Sequence, residues 1–147
     1  MGKDARKEVK MATVEIATGE VIVLSDRPEV MGMIDQRIRP KRASCVEILE
    51  QMIVEGSHPV VVIDERAYRG CDLEALIFDL SEFSNDRVGG IVMMLPDDYP
   101  QRIKLRVAGA NRFVNFEDAR TDLEQLVGEA RAERWRERDT HQEGVPF

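Results

Sequence analysis

The sequence is poor in the residues that build disulfides and metal centres. Its 147 residues include two cysteines, Cys45 and Cys71, and two histidines, His58 and His141. In a chain with no sign of export, two cysteines favour reduced core residues over a disulfide. Two histidines are also too few for the common cysteine/histidine metal sites. The composition therefore argues against a disulfide-stabilised module and against a zinc protein.

Positive charge and long apolar runs are scarce as well. The 21 Lys and Arg residues are outnumbered by 28 Asp and Glu residues, which gives a net charge of -7. Nucleic-acid binding needs a surplus of positive charge on one face, so we expect no nucleic-acid partner. No apolar run reaches the roughly 20 residues that span a bilayer, and the charged start lacks the apolar stretch of a signal peptide. We therefore expect a cytoplasmic protein with no membrane partner.

The remaining composition, 43% hydrophobic and 33% charged, is that of an ordinary globular domain. Residues 1–11 carry charge without periodicity and are predicted to be a flexible N-terminal tail. Residues 12–128 contain the apolar patterns of one folded domain. Residues 129–147 are predicted to form a polar helical extension and a C-terminal tail.

Within this domain, apolar runs alternate with helical patterns. Runs that are apolar throughout, as in strands buried on both faces, occupy 21–24, 59–63 and 91–95, and shorter strands are predicted near 42–45 and 112–116. Helical spacing predicts a first helix that carries Val30, Ile34 and Ile38 and ends before Pro40. Further helices are predicted over 46–55, 73–83, 100–108 and 118–139.

This alternation predicts an α/β fold with a doubly wound five-stranded parallel sheet and helices on both faces, the flavodoxin-like arrangement. In such folds the ligand site lies beyond the carboxyl ends of the strands. Asp26 and Asp64 each follow a buried strand, so a parallel sheet would bring both carboxylates to one edge. Two acids so placed can hold Mg²⁺ and make one of them a phosphoryl acceptor. A helix N-cap is the alternative role for either acid.

Two segments resemble the receiver domains of response regulators. The strand that ends at Asp64, its loop and AYRGCDLEAL match the stretch around that family's phosphoacceptor aspartate. The segment GANRFVNFEDARTDLEQLV at 109–127 is similar without a gap to the family's last strand and helix. The resemblance covers about residues 20–128 and implies a receiver-type sheet with Asp64 at the phosphoacceptor position.

Several positions depart from the family pattern. Receivers have two adjacent acids after the first strand, where this chain has Ser25-Asp26, so the Mg²⁺ site of Asp26 and Asp64 is expected to be weak. The family's Thr or Ser after the fourth strand corresponds to Leu95, and its lysine after the fifth strand to Phe116 or Asn115. We therefore expect a pseudo-receiver that requires no cofactor, is not an enzyme and has lost the switch that reads phosphorylation.

Such a domain would act through protein contacts, with a histidine kinase or a downstream regulator as the partner. The resemblance places the output face, and a homodimer contact, on residues 100–127. Leu105 is the strongest interface candidate, because Ile103 and Val107 are expected in the core. The other interface candidates are Arg106, Arg112, Arg120, Asp122 and, on the polar helix, Trp135.

Two alternatives stay open at this stage. The first is a regulatory domain similar to the STAS anti-sigma antagonists, in which residues 12–17 would pair antiparallel with 21–25, although the hydroxyl-bearing motif of that family is missing. The second is a small Mg²⁺-dependent phosphohydrolase that uses Asp26 and Asp64. The strand edge lacks a Lys, His or Thr to complete a phosphoryl site, which disfavours the enzyme.

Overall fold

Five short strands form one sheet in which every neighbouring pair is parallel. The structure is a computed structural model, and it describes residues 19–68, 72–83 and 87–143. The strands are β1 (Val21–Leu24), β2 (Lys41–Ala43), β3 (Val60–Asp64), β4 (Gly90–Met94) and β5 (Arg112–Val114). Their order across the sheet is β2-β1-β3-β4-β5. This order confirms the predicted flavodoxin-like α/β fold.

The central strands are apolar throughout because each separates two parts of the core. Alternate strand residues belong to two different clusters of buried side chains, as the two-residue period of a strand requires. The first cluster joins Ile22, Val61 and Ile91 to residues of the helices over 46–55, 73–83 and 102–108. The second joins their sequence neighbours to the segment before β2 and to the last helix.

The described part of the chain contains four α-helices, and a helix was predicted at each of these places. They are α1 (Val46–Glu55), α2 (Leu73–Phe83), α3 (Arg102–Ala108) and α4 (Ala119–Glu143). The predicted bounds of α1 agree with the structure, where the helix ends at Gly56. Leu49 and Ile53 are buried in the first cluster, whereas Ile48 is 42% exposed.

The predicted first helix is wrong in type. Two short 3₁₀ segments, Pro28–Met33 and Gln36–Ile38, occupy its place, and Ile34 between them is extended. The Asp35 carboxylate accepts the backbone N–H of Arg37, which starts a new turn instead of continuing the old one. The apolar positions Val30, Ile34 and Ile38 are nevertheless buried, as their spacing predicted.

Helix α4 runs past the predicted domain boundary at residue 128 without a break. Arg131 donates hydrogen bonds to the carbonyls of His58 and Glu20, at the amino ends of β3 and β1. Arg134 is 4% exposed and donates to the hydroxyl and the carbonyl of Ser81 on α2. The first turns of the predicted solvated extension are thus packed on the domain.

The predicted N-terminal tail and residues 12–17, which the STAS-like alternative requires, lie outside the described residues. Strand β1, the partner that this alternative needs, is paired with β2 on one side and with β3 on the other. Both of its hydrogen-bonding edges are therefore occupied at 22–24. Among the described residues, none of the helices combines the length and the hydropathy of a membrane span.

Candidate functional site

The site lies where β1 and β3 end side by side. Leu24 is paired with Ile63 in the parallel register, so Ser25 and Asp64 follow at the same edge of the sheet. Both side chains are fully buried. The Ser25 hydroxyl donates a 2.8 Å hydrogen bond to Oδ2 of Asp64.

Arg27 supplies the counter-charge for this buried carboxylate. Its Nε and Nη2 donate hydrogen bonds of 3.1 and 2.7 Å to the same Oδ2 of Asp64. The other oxygen, Oδ1, accepts the backbone N–H of Arg66 at 3.0 Å. Charge-assisted hydrogen bonds of this kind are the strong ones, and they offset the cost of burying a carboxylate. Asp64 is therefore held as one member of an internal ion pair, and both of its oxygens are engaged.

The predicted partner of Asp64 is placed differently. Asp26 is exposed, whereas its neighbours Ser25 and Arg27 turn to the carboxylate. Across the described ranges, no three His, Cys, Asp or Glu side chains come together as a group that could hold a metal ion. The group that neutralises Asp64 is a guanidinium, and it takes up acceptor positions that a Mg²⁺ ion would otherwise coordinate.

The three positions at which receivers carry their switch residues have structural roles here. Leu95 is fully buried in the first cluster, and its N–H donates to the Val114 carbonyl. The Asn115 side chain accepts the N–H of Asp118 at the start of α4. Phe116 is 8% exposed and lies under the Arg66 guanidinium, 3.9 Å from ring centroid to Cζ. None of the three offers a hydroxyl or an ammonium group to the pocket.

Sequence reasoning missed Arg27 and Arg66, which bring positive charge to this edge. Arg27 directly precedes Pro28, and Arg66 follows Asp64 by two positions. The available signal was an arginine three residues after each of the two predicted buried strands 21–24 and 59–63. The carboxyl ends of parallel strands lie at one edge of the sheet. Arg27 and Arg66 are therefore expected at the same edge as Asp64.

Two of the four charged residues predicted for the output face, Arg106 and Arg112, form ion pairs within the chain. Arg106 forms a 2.7 Å ion pair with Glu133, and Arg112 contacts both Glu129 and Glu133 at 3.0 and 3.2 Å. The hydrogen bonds from Arg106 lower the pKa of Glu133 to about 2, with further donation from Asn111 and Arg112. This network fastens α3 and β5 to α4.

The assignment of inward and outward positions on α3 was wrong. Leu105, the strongest interface candidate, is 1% exposed and belongs to the core, whereas Ile103 and Val107 are 80% and 82% exposed. The helix packs through Leu105 and Ala108 instead. Of the remaining candidates, Arg120 and Asp122 are exposed on α4, and Trp135 is 66% exposed further along the same helix.

Comparison of the chain with protein-family models, with curated proteins and with solved structures gives no match in any of the three. Because one fold serves many functions, the function must be inferred from the residues of the site.

Proposed function

We propose that the chain is a regulatory domain of the pseudo-receiver type, which acts by binding a protein partner and does not depend on phosphorylation. The observation that carries this proposal is the pairing of Arg27 and Ser25 with Oδ2 of Asp64. The negative charge of Asp64 is neutralised by Arg27 of the same chain. The pocket therefore requires no bound cation to balance that charge. A cytoplasmic location and a signalling partner, such as a histidine kinase or a downstream regulator, belong to the same proposal.

Phosphoryl transfer needs an oxygen that can attack in line, with cations that stabilise the developing charge. Oδ2 of Asp64 faces a guanidinium and a hydroxyl, and the side chain is fully buried. An incoming phosphoryl group would have to displace Arg27 and leave it without its carboxylate. The contacts that the Asp64 carboxylate makes therefore favour a single conformation of the domain over one that changes on phosphorylation.

The same contacts disfavour the phosphohydrolase alternative. A nucleophilic or metal-binding aspartate must reach the substrate, whereas the Asp64 carboxylate is enclosed by its hydrogen-bond donors. Turnover of a generic phosphate ester that disappears in Asp64→Ala would support an enzyme instead.

The decisive experiment follows backbone amide shifts when Mg²⁺ and beryllofluoride are added to the wild-type chain. We expect no changes that begin at Asp64 and spread to residues 95–116. Large changes along that route would show a working phosphorylation switch and would contradict the proposal.

Arg27→Ala is the informative variant for the same titration. Removal of the guanidinium should expose Asp64 to Mg²⁺, so shifts should appear near residues 25 and 64. They should stay local, because Leu95 and Phe116 cannot hydrogen-bond a phosphoryl group. Arg136→Ala, on an exposed part of α4, is the matched control and should behave like the wild type.

A further inference from the structure

A cluster of exposed apolar side chains lies on α2 and α3, away from the Asp64 pocket. Ile103 and Val107 are one helical turn apart on α3 and are 80% and 82% exposed, and Phe78 on α2 is 52% exposed. Residues four apart on a helix are neighbours, so the two aliphatic side chains form one ridge. Single exposed apolar residues are ordinary, but adjoining ones mark an interaction surface.

The two helices present these residues on one continuous surface. Phe78 and Val107 line the same surface pocket, of about 290 Å³, together with Glu82 and Arg106. We call Phe78, Ile103 and Val107 the α2–α3 patch. Helices α2 and α3 pack against each other through the first core cluster, which holds Ile77 and Leu105 below the patch.

The charges on the two helices are segregated by sign. Every charged residue of α2 is acidic, namely Glu74, Asp79 and Glu82, and every charged residue of α3 is basic, namely Arg102, Lys104 and Arg106. Glu74 and Glu82 are exposed and stand four residues before and after Phe78. Arg102 and Arg106 are paired with Asp97 and Glu133 of the same chain. The basic side therefore depends on Lys104, which is exposed between Ile103 and Leu105. The α2–α3 patch therefore has an acidic side and a basic side.

We infer that the α2–α3 patch binds a second copy of this chain across a two-fold axis. A surface with an acidic half and a basic half is complementary to itself after a two-fold rotation, which lays α2 of one copy on α3 of the other. Two-fold dimers are the commonest oligomers, and their interfaces must be self-complementary in this way. The apolar residues would lie at the centre, with the opposite charges around them.

This face shares α3 with the region 100–127 that the receiver resemblance implies, but it adds Phe78 and the acids of α2. It does not use Arg106 and Arg112, which are already paired with acids of α4. It also differs from the Asp64 pocket, so the dimer does not depend on the proposed function. Failure of one proposal leaves the other standing.

The first test is sedimentation equilibrium of the full chain from micromolar to millimolar concentration. We expect a concentration-dependent dimer that Val107→Asp weakens at least about tenfold, because the substitution places a charge at the centre of the interface. Val54→Asp is the matched control, since Val54 is 60% exposed on α1. A chain that stays monomeric throughout, or a dimer that is lost in Val54→Asp and kept in Val107→Asp, would overturn the inference.

A charge-exchange test separates a two-fold contact from any loss of folding. The double variant Glu74→Lys/Glu82→Lys and the single variant Lys104→Glu should each dimerise at least about tenfold more weakly, because like charges then face each other. An equimolar mixture should regain a dimer of one copy of each, since both contacts become attractive again. If the mixture behaves as the sum of its two components, α2 does not lie on α3 of the partner and the inference is wrong.

Discussion

At the scale of single residues, the central feature is a buried aspartate whose counter-ion comes from the chain itself. The roles of Ser25 and Arg27 arise from the register that places Leu24 beside Ile63. The position of Asp64 at a strand end could be predicted from sequence. The direction of the Arg27 side chain could not be predicted, because its rotamer is selected by contacts that exist only when β1 and β3 lie side by side.

We predict that Arg27 and Asp64 are energetically coupled. In a double-mutant cycle of Arg27→Met, Asp64→Asn and the combined variant, each single substitution removes one partner and leaves the other without its opposite charge. The coupling measured by urea unfolding should be about 1–3 kcal/mol, which allows for the partial exposure of Arg27. Simple additivity of the two single variants would show that the ion pair contributes nothing to stability.

Glu133 gives a pH-dependent prediction. Its pKa is lowered from 4.5 to about 2 in the folded chain, first through the hydrogen bonds from Arg106. A depressed folded-state pKa contributes stability that is fully present above the unfolded value and is lost as pH falls from about 5 towards 2.

Glu133→Gln should therefore lower the free energy of unfolding by about 2–3 kcal/mol at pH 7, with allowance for the exposure of Arg106. The difference from the wild type should shrink on acidification, which urea unfolding at several pH values measures. A difference that is the same at about pH 3 as at pH 7 would show that the Glu133 charge is not responsible.

At the scale of elements, apolar patterning was sufficient wherever an element is long or buried on both faces. The strands at 21–24 and 60–64 and helix α1 follow from it directly. It failed at α3, which spans only seven residues. In so short a helix, Ile103 and Val107 are spaced for a buried face as well as Leu105 and Ala108 are, and only packing against α2 decides between them.

The first 3₁₀ segment and the end of α3 give a paired prediction on glycine. A Cβ at Gly32 would meet nothing within 4 Å, whereas one at Gly109 would lie 2.6 Å from Ser81, at a backbone φ of 137°. Gly32→Ala should stabilise the chain by about 0.4–1 kcal/mol through the unfolded state. Gly109→Ala should destabilise it by at least about 2 kcal/mol, from the contact and the backbone strain together.

Thermal unfolding of both variants checks this prediction, and each serves as the other's control because both replace the same residue. Equal effects would show that the backbone at Gly109 can relax. They would also show that the close approach of α2 to the end of α3 is not fixed.

At the scale of the whole molecule, one sheet contributes to two core clusters that have no residue in common. Leu49 of α1 is buried in the first cluster and Leu123 of α4 in the second, with strands β1, β3 and β4 contributing alternate residues to each. Because the same strands carry both clusters, loss of either should expose the other. The sequence pattern contains this arrangement, since strands that serve two clusters must be apolar at every position.

We therefore predict that the described domain unfolds as a single unit. Leu49→Ala and Leu123→Ala should each cost about 2–5 kcal/mol, and the double variant should cost their sum, because the two sites share no contacts. The dependence of the unfolding free energy on urea should be unchanged in all three, which marks one cooperative transition. A second transition, or a lower urea dependence in one single variant, would mean that one cluster survives without the other, and the sheet would then not couple its two sides.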